Sequence, residues 1–346
     1  MESIYYVISW VCHRRCKHCY DDRYRPYSRE ALPEVINKLK ADFPRIVDNL
    51  PERMTYIDLE RPSTTSASGY DERPGRIVLS GGEVLVDPVR EEILYPLMDR
   101  LVEKYAQQNV RIIIQTAGDL ITPKIIDELL AHGMWMVTVS GMDDYHHGME
   151  GDKRIPIKQR LTRDFEKAGM CASTHQEGTS NWNQAGGPFY RFFGANPESW
   201  LGKVWPRGRA WSNSLSTATM QDNFCNNWSG ALNFLNAPFS GSEVSVAPDG
   251  NVHPCCMRTT VPLGNLVEER MEDILESLTG NPAFEALSMG HPERMGINYG
   301  WDTKTFIENS KTTKPNGEPF HNLCVGCDRF HEEVLGDVSE TLERSD

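Results

Sequence analysis

The sequence predicts an α/β fold in which a parallel sheet forms a full or partial barrel. In the first half, short apolar runs alternate with longer amphipathic ones, the pattern of repeated strand–helix units. Such units, joined by right-handed crossovers, are typical of TIM-like barrels. The chain has 346 residues, 39% hydrophobic and 25% charged, so it can bury one large core and hold a smaller second domain.

The strands and helices follow in order along the first half. Short apolar runs predict strands at 5–10, 77–80, 110–116, 135–140 and 170–174. Apolar residues at helical spacing predict a helix from about Ser28, and Asp87-Pro88 is a typical start for the next one. A third helix is predicted from Thr122-Pro123 to Gly133, and a fourth ends near Gly169.

Three segments depart from this alternation of strands and helices. Residues 51–76 are polar and are interpreted as a loop on the barrel face opposite the active site, either mobile or a partner surface. Residues 177–235 are rich in Gly, Asn and Trp without a period. The segment 241–254 predicts a β-hairpin around Asp249-Gly250.

Charge and composition exclude several classes of partner. The formal net charge of −13 disfavours a broad phosphate-binding surface, so we expect no nucleic-acid substrate. No apolar run approaches the roughly 18 residues of a membrane span. Cysteines begin at position 12, where a signal peptide would be apolar, so we expect a cytoplasmic protein. In that reducing compartment, nine cysteines indicate metal binding rather than disulfides.

Cys12, Cys16 and Cys19 have the spacing C-x3-C-x2-C and follow the first predicted strand. Three thiolates close a tetrahedral zinc site only with a fourth ligand such as His13 or His18. The alternative is a four-iron cluster in which one iron keeps an open position.

The second predicted strand ends in Ser80-Gly81-Gly82-Glu83, at the same end of the sheet as the cysteine loop. Paired glycines let a backbone approach a ligand closely, and a carboxylate can hold an ammonium group. This combination resembles the radical S-adenosylmethionine (SAM) superfamily.

That resemblance implies a partial (βα)6 TIM-like barrel and a [4Fe–4S] cluster on Cys12, Cys16 and Cys19 that binds and cleaves SAM. Gly81, Gly82 and Glu83 match the motif that contacts the amino group of SAM. His18 stands where the family has an aromatic residue near the adenine. An external electron donor of the flavodoxin or ferredoxin type is implied as a partner.

Further strand ends are weaker candidates for the same pocket. In the family, positions such as Thr116 and Ser140 approach the ribose, the methionine carboxylate or the substrate. Each is equally well explained as a turn residue that satisfies its own backbone. His146 and His147 follow, as acid–base groups or as exposed residues.

A second group, Cys225, Cys255, Cys324 and Cys327, supplies four thiolates, enough for a fully ligated auxiliary cluster or a zinc knuckle. The arrangement G-x4-C followed by C-x2-C resembles the auxiliary-cluster extensions called SPASM and Twitch domains. Because no cysteine follows Cys327, a one-cluster, Twitch-like domain with one [4Fe–4S] cluster fits better.

Three residues stand outside these groups with open roles. Cys256 could replace Cys255 as a ligand, be inert, or donate a hydrogen atom to a substrate radical. Cys171 is predicted to be a buried small hydrophobe. Arg209, in a Gly-Arg-Ala segment similar to those of SPASM-type relatives, is interpreted as contacting a substrate carboxylate or the barrel end, or as a surface residue.

The sequence thus divides into a barrel (1–180), a linking or lid segment (181–220), an auxiliary-cluster domain (221–330) and an acidic tail (331–346). The predicted function is a radical SAM oxidoreductase or maturase that dehydrogenates or cross-links a small metabolite or a ribosomal peptide. The alternative is a radical epimerase with a cysteine hydrogen-atom donor, and a distant one is a non-enzymatic Fe–S or zinc protein.

Overall fold

A computed structural model describes residues 1–174, 186–194, 204–227, 232–239 and 241–336. Its strands are β1 Ser3–Val7, β2 Thr55–Pro62, β3 Tyr70–Pro74, β4 Arg76–Ser80, β5 Arg111–Thr116, β6 Met136–Val139, β7 Cys171–Ala172, β8 Phe189–Phe192, β9 Glu243–Val246, β10 Asn251–His253, β11 Gly264–Asn265, β12 Lys311–Thr313 and β13 Pro319–His321.

The helices lie between these strands and fill the C-terminal part. The α-helices are α1 Leu32–Asp48, α2 Tyr95–Lys104, α3 Pro123–Ala131, α4 Arg154–Lys167, α5 Gly208–Ser212, α6 Phe224–Asn227, α7 Met271–Leu278, α8 Pro282–Ser288, α9 Thr303–Asn309 and α10 Leu323–Phe330. Two π-helical segments adjoin them: Arg90–Leu94 precedes α2, and His331–Leu335 follows α10. None of the helices described is long and apolar enough to cross a membrane.

A nine-stranded sheet organises the molecule, in the order β11-β10-β9-β1-β4-β5-β6-β8-β7. The seven strands from β9 to β7 are paired in parallel, and β10 and β11 add antiparallel neighbours at one edge. The largely parallel α/β architecture expected from the sequence is therefore confirmed. Because β1 and β4 are adjacent and parallel, Val7 lies opposite Ser80, and the segments that follow the two strands emerge side by side.

The two faces of the sheet carry different side chains, as alternation along each strand requires. One face presents a row of aliphatic residues to the helices and belongs to the main core; it includes Ile4, Ile77, Ile112 and Val137. The other carries Tyr5, Val78, Ile113, Met136 and Phe189, which occupy neighbouring register positions. Tyr5 thus lies on the face of the sheet turned away from the helices.

Most predicted elements are present, with shifted ends. The strand predicted at 77–80 is β4, and the helix predicted from Thr122-Pro123 is α3, whose N-terminus is capped by the Thr122 hydroxyl at 3.3 Å from the Ile125 nitrogen. The helix predicted to begin at Asp87-Pro88 instead begins with the π-helical turn at Arg90. The strand predicted at 170–174 shrinks to the two-residue edge strand β7.

Two segments differ from expectation more strongly. Residues 51–76, predicted as a loop, contain the antiparallel hairpin β2–β3. β8 was not predicted, because it lies within the Gly-, Asn- and Trp-rich stretch 177–235, where polar residues flank its short apolar run. Residues 175–185, 195–203 and 228–231 of that stretch, and 337–346 of the predicted acidic tail, lie outside the described residues.

The hairpin predicted at 241–254 is confirmed as β9–β10. Its first strand pairs with β1 in parallel, Ser3 opposite Glu243. The hairpin therefore extends the barrel sheet, and the second cysteine group is built directly onto the edge of the barrel.

Candidate active site

The three cysteines of the first group share one loop that leaves β1. Cys12 and Cys16 are buried and Cys19 is half-buried. Burial raises the pKa of Cys12 to about 12, and the neighbouring thiols of Cys16 and Cys19 contribute to that rise. The three sulfur atoms are therefore close enough to sense one another, as ligands of one metal group must be.

The loop is fixed by residues that follow the barrel. Arg209 donates from Nε to the carbonyl oxygen of Cys16 (2.9 Å) and from Nη2 to that of Tyr24 (2.8 Å). The backbone nitrogen of Ala210 donates to the Cys19 oxygen at 3.2 Å. Of the alternatives for Arg209, the contact with the barrel end is the one found.

The loop is held from the other side by a charged pair. Asp119, after β5, accepts from Nε2 of His13 at 2.7 Å and forms an ion pair with the buried Arg14 guanidinium, also at 2.7 Å. These contacts depress the pKa of Asp119 to about 2 against the opposing effect of burial. His13 is therefore engaged with a carboxylate next to the cysteines.

The Gly-Gly-Glu segment packs directly against the start of this loop. The nitrogen of Gly82 donates to the Ser9 oxygen (3.0 Å), and that of Glu83 donates to the Val11 oxygen (2.9 Å). A Cβ atom on Gly82 would lie 2.3 Å from the Val11 oxygen and 2.8 Å from Cβ of Cys12. The close approach that requires glycine here is to the cysteine loop itself.

Glu83 is buried, and its carboxylate accepts hydrogen bonds within the protein. Oε1 accepts from the Thr116 hydroxyl (2.7 Å) and the Leu85 nitrogen (3.1 Å), and Oε2 accepts from the Ala117 nitrogen (2.8 Å). Burial raises the pKa of Glu83, and these donors oppose the rise. Its side chain joins the ends of β4 and β5, so the backbone of Gly81 and Gly82 is the part of the motif best placed for a ligand.

Thr116 and Ser140 continue this link between strand ends. The Thr116 hydroxyl donates to Glu83 and accepts from the Gly118 nitrogen at 3.1 Å. The Ser140 hydroxyl donates to the Thr116 oxygen at 3.3 Å. Both hydroxyls thus make hydrogen bonds within the protein, as expected of turn residues.

His18 lies beside a turn that follows β6. Its ring centroid is 4.5 Å from that of His146 and 5.4 Å from that of Tyr145. Burial lowers the pKa of His18 to about 4, with the neighbouring His146 acting in the same direction. Nδ1 of His18 is buried without a hydrogen-bond partner among the described residues, so a neutral imidazole with one uncommitted nitrogen faces the site.

Asp143 organises this turn. Its Oδ1 accepts from the nitrogens of Tyr145 and His146 and from Nδ1 of His146, each at 2.9 Å. His146 is a candidate from the sequence, whereas the carboxylate that binds it, Asp143, was assigned no role. The three hydrogen bonds hold Asp143 and His146 together, and the His18 ring packs against that of His146.

The second cysteine group comes together from three separate segments. Cys225 lies in α6, Cys255 follows β10, and Cys324 and Cys327 lie one helical turn apart in α10. All four are buried, and the pKa of Cys225 is raised by burial and then by the other three thiols. The structure thus places Cys225, which sequence spacing alone could not assign, with the other three.

Asn322 joins two of these segments. Its Oδ1 caps α10 by accepting from the Cys324 nitrogen (3.0 Å), while its Nδ2 donates to the oxygens of Thr219 (2.7 Å) and Asp222 (3.1 Å). The two acceptors precede Cys225. Asn322 is fully buried and was not identified from sequence, although an Asn before a C-x2-C helix is a recognisable cap signal.

The spacing of the sulfur atoms favours a cluster over zinc in both groups. In a tetrahedral zinc site, Zn–S bonds of about 2.3 Å hold the sulfurs about 3.8 Å apart. Within the described part of the chain, one group of three ligating side chains has its atoms within 4.8 Å of one another, and it contains no cysteine. The wider spread of the thiols suits a four-iron cluster, which separates its ligands by the iron–sulfur core.

Arg207 provides positive charge beside the second group. It forms an ion pair with Asp328 and donates from Nη1 to the Arg258 oxygen at 2.5 Å. Its charge acts against the burial effect that raises the pKa values of Cys255 and Cys324. A guanidinium in this position would partly neutralise a four-thiolate cluster.

Arg258 connects the two cysteine groups. Its guanidinium lies 4.1 Å from the centre of the Trp10 ring, and Nη2 donates to the Tyr24 hydroxyl at 3.0 Å. Nη1 is 3.2 Å from Oδ2 of Asp21. The segment that carries Cys255 is therefore packed directly against the loop that carries Cys19.

Cys256 is buried but faces different neighbours from Cys255. Burial raises the pKa of Cys256 well above its usual range, and the further influences come from Cys255, Glu243 and Arg258. Cys256 in turn raises the pKa values of Tyr5 and Tyr20, although burial dominates both. The thiol thus lies towards the sheet face that carries Tyr5.

Cys171 does not have the predicted environment. It lies in the edge strand β7 and is exposed, whereas a buried position was predicted. The strand is short and at the end of the sheet, so its side chains are not covered by a neighbouring strand on both sides.

Comparison with known proteins identifies the C-terminal part. Residues 239–328 match the family model of SPASM, described as an iron-sulfur cluster-binding domain. The chain therefore carries a SPASM domain, which confirms the resemblance expected from its second cysteine group. No curated protein matches the sequence.

Several solved structures are similar to this chain at low identity. BtrN in complex with AdoMet and 2-DOIA is 16% identical over 88% of this chain and 91% of that chain, with a TM-score of 0.43. Native anSMEcpe with bound AdoMet and Kp18Cys peptide is 15% identical over 99% of both chains, with a TM-score of 0.42. SuiB of Streptococcus suis is 10% identical over 83% and 67%, with a TM-score of 0.38. At these values the likenesses support neither a reaction nor a substrate for this chain.

Proposed function

We propose that the protein is a radical SAM enzyme with one auxiliary [4Fe–4S] cluster. The observation that carries the proposal is the packing of the Cys12–Cys19 loop against Gly82 and Glu83, at the adjacent ends of two parallel strands. Three thiolates and an adjoining pair of glycines suit a cluster with one open iron, whereas a tetrahedral zinc site would need a fourth protein ligand.

In this proposal Cys12, Cys16 and Cys19 hold the first cluster, and Cys225, Cys255, Cys324 and Cys327 hold the auxiliary one. When bound, these groups supply the difficult chemistry: an electron cleaves the sulfonium bond of SAM to methionine and a 5′-deoxyadenosyl radical, which takes a hydrogen atom from the substrate. The protein supplies the orientation and the exclusion of water.

The protein residues around the first group have distinct positioning roles. The Gly81 and Gly82 backbone would bind the amino group of SAM, while Glu83, Thr116 and Ser140 fix the strand ends behind it. His18, whose ring packs against the His146 that Asp143 binds, would contact the adenine. Each role places a ligand contact on a backbone or ring that the protein already holds rigid.

The net reaction best supported is a two-electron oxidation. After hydrogen abstraction, the substrate gives up one electron and one proton and so gains a double bond or a cross-link. The auxiliary cluster that the four buried cysteines beside Arg207 would hold, with every iron ligated, would accept that electron. We propose a small metabolite or a peptide as substrate and a flavodoxin- or ferredoxin-like protein as the source of the priming electron.

The proposal is tested by anaerobic reconstitution with iron and sulfide, reduction and addition of SAM. We expect methionine and 5′-deoxyadenosine, and loss of both products in Cys12→Ala. Cys171→Ala is the matched control, since that thiol is exposed on an edge strand and should leave turnover unchanged. A protein that binds zinc, or that binds iron but never cleaves SAM, would refute the proposal.

A second candidate function, radical epimerisation, is favoured by the environment of Cys256. Burial keeps this thiol protonated, as a hydrogen-atom donor must be, and besides its neighbour Cys255 it interacts with Tyr5 and Tyr20. In an epimerase this S–H would return a hydrogen atom to the opposite face of the substrate radical, leaving a thiyl radical to be reduced.

Isotope labelling separates the two candidates. In deuterated buffer, an epimerase places one deuterium from the exchanged Cys256 thiol in a product whose mass is otherwise that of the substrate. An oxidation instead gives a product lighter by two hydrogens and needs no Cys256. Cys256→Ser should abolish the first outcome and spare the second.

A further inference from the structure

His331 is a buried histidine that the proposed function does not yet use. It begins the π-helical segment after α10 and is 0% exposed. Neither Nδ1 nor Nε2 has a hydrogen-bond partner among the described residues. Its ring neighbours are Phe284 and Phe330, with centroids at 6.5 and 6.3 Å, and neither phenyl ring satisfies a ring nitrogen. Buried polar groups in folded proteins are almost always paired, so this ring indicates a partner.

The backbone places His331 on the same helix face as two auxiliary-cluster ligands. The His331 nitrogen donates to the Cys327 oxygen, so the α-helical register runs from Cys327 to His331. Residues four apart on a helix have neighbouring side chains, and Cys324 lies one further turn along the same stripe. The stripe of Cys324, Cys327 and His331 is buried throughout.

Arg207 is a charged group close to both His331 and the cysteine group. The guanidinium that influences Cys255, Cys324 and Cys327 also influences His331. Burial lowers the pKa of His331 to about 3, and Arg207 acts in the same direction. The imidazole carries at least one ring N–H that can be donated.

We propose that His331 donates a hydrogen bond from its ring N–H to a sulfur atom of the auxiliary cluster and thereby raises the reduction potential of that cluster. The inference rests on the auxiliary cluster of the proposed function. It concerns a residue that lies beyond the segment 239–328 matched by the SPASM model. Donation is favoured over ligation because Cys225, Cys255, Cys324 and Cys327 already supply four thiolates.

The direction of the effect follows from charge. Reduction adds one negative charge to the cluster, and an N–H dipole directed at its sulfur stabilises the more negative state. Loss of the donor should therefore make the midpoint potential more negative. His331 is accordingly a positioning residue for electron transfer rather than a catalytic one.

The test uses full-length protein with Cys12, Cys16 and Cys19 replaced by Ala, so that the auxiliary cluster alone is reconstituted. An EPR-monitored redox titration gives its midpoint potential. For His331→Leu we expect at least a tenfold change in the one-electron equilibrium constant, about 59 mV towards more negative potential. His331→Gln, which keeps an N–H donor, should recover part of the shift. His291→Leu, which replaces a histidine bonded to Glu293 in the same domain, should cause none.

A second measurement needs no substitution at position 331. In the same background labelled with ¹⁵N-histidine, pulsed EPR of the reduced cluster should detect a weak nitrogen coupling typical of a hydrogen bond. A strong coupling would indicate a direct iron ligand and overturn the proposal, as would an unchanged potential in His331→Leu with full cluster content. If the protein with Cys12, Cys16 and Cys19 replaced by Ala binds zinc or no iron, the result refutes the auxiliary cluster of the proposed function instead.

Discussion

Arg209 and Cys16 are joined by a hydrogen bond from the guanidinium Nε to the cysteine carbonyl oxygen, over 2.9 Å and 193 positions of sequence. A second bond from the same guanidinium reaches the oxygen of Tyr24. The shape of the cysteine loop therefore depends on α5, a helix that follows the barrel.

Replacing Arg209 should weaken the first cluster site selectively. Arg209→Ala removes the guanidinium donor to the Tyr24 oxygen and leaves the Cys16 oxygen with the 3.3 Å bond from the Cys19 nitrogen, at a cost of about 1–3 kcal/mol. Arg209→Lys restores at most one of the two lost bonds because an ammonium lacks the planar fork. We expect iron per chain to fall from about eight towards about four after reconstitution. Arg294→Ala removes an exposed guanidinium near Glu293 and should keep full iron content.

Gly82→Ala should disrupt the packing between the Gly-Gly-Glu segment and the cysteine loop. Its Cβ atom would lie 2.3 Å from the Val11 oxygen, so the two strand ends must separate, at a cost of about 3 kcal/mol. Thermal unfolding and iron content should both fall. Gly317→Ala meets open space and carries only the strain of a φ of +87°, about 1–2 kcal/mol, so it should lose some stability and no iron.

Thr116→Val tests whether the Thr116 hydroxyl acts through Glu83. The valine removes a donor to the buried carboxylate and the acceptor of the Gly118 nitrogen, so we expect a loss of about 1–3 kcal/mol in unfolding free energy. Thr116→Ser keeps both bonds and should behave like the parent. A large rise in the Kd for SAM with unchanged stability would instead mean that Thr116 contacts SAM directly.

Asn322→Ala should destabilise the auxiliary cysteine group. The substitution removes the cap of α10 and the side-chain donor to the Thr219 and Asp222 oxygens, at a cost of about 3 kcal/mol in total. Iron in the auxiliary site should fall together with the melting temperature. Asp302→Ala removes a similar cap from α9, which carries no cysteine, and should cost about 1 kcal/mol without loss of iron.

Helices and strands that depend on a local sequence pattern could be predicted. β4 and α3 could be located because an apolar run ending in Gly-Gly and a Thr-Pro start are short-range signals. The hairpin β2–β3 could not, since both of its faces are rich in charged side chains and show no alternation. Cys171 was misplaced because its strand lies at the sheet edge, which the apolar pattern does not reveal.

In the candidate site, too, residues in a local motif could be predicted, whereas residues with distant partners could not. Cys12, Cys16 and Cys19 are neighbours in sequence, and their spacing together with Gly81-Gly82-Glu83 made them candidates. The roles of Asn322 and Arg209 depend on partners about 100 to 200 positions away, whose approach is decided by the packing of whole elements. A single sequence contains no period or spacing that records such contacts.

Because β9 pairs with β1, the central sheet can be completed only late in synthesis. Ser3 pairs with a residue made 240 positions later. At about 5–20 residues per second, the ribosome needs on the order of 12–50 s to supply that neighbour. Throughout this interval β1 keeps an unpaired hydrogen-bonding edge, the kind of surface that recruits other strands. A nascent or shortened chain lacking β9 should therefore aggregate readily, and its yield should depend on chaperones that cover that edge.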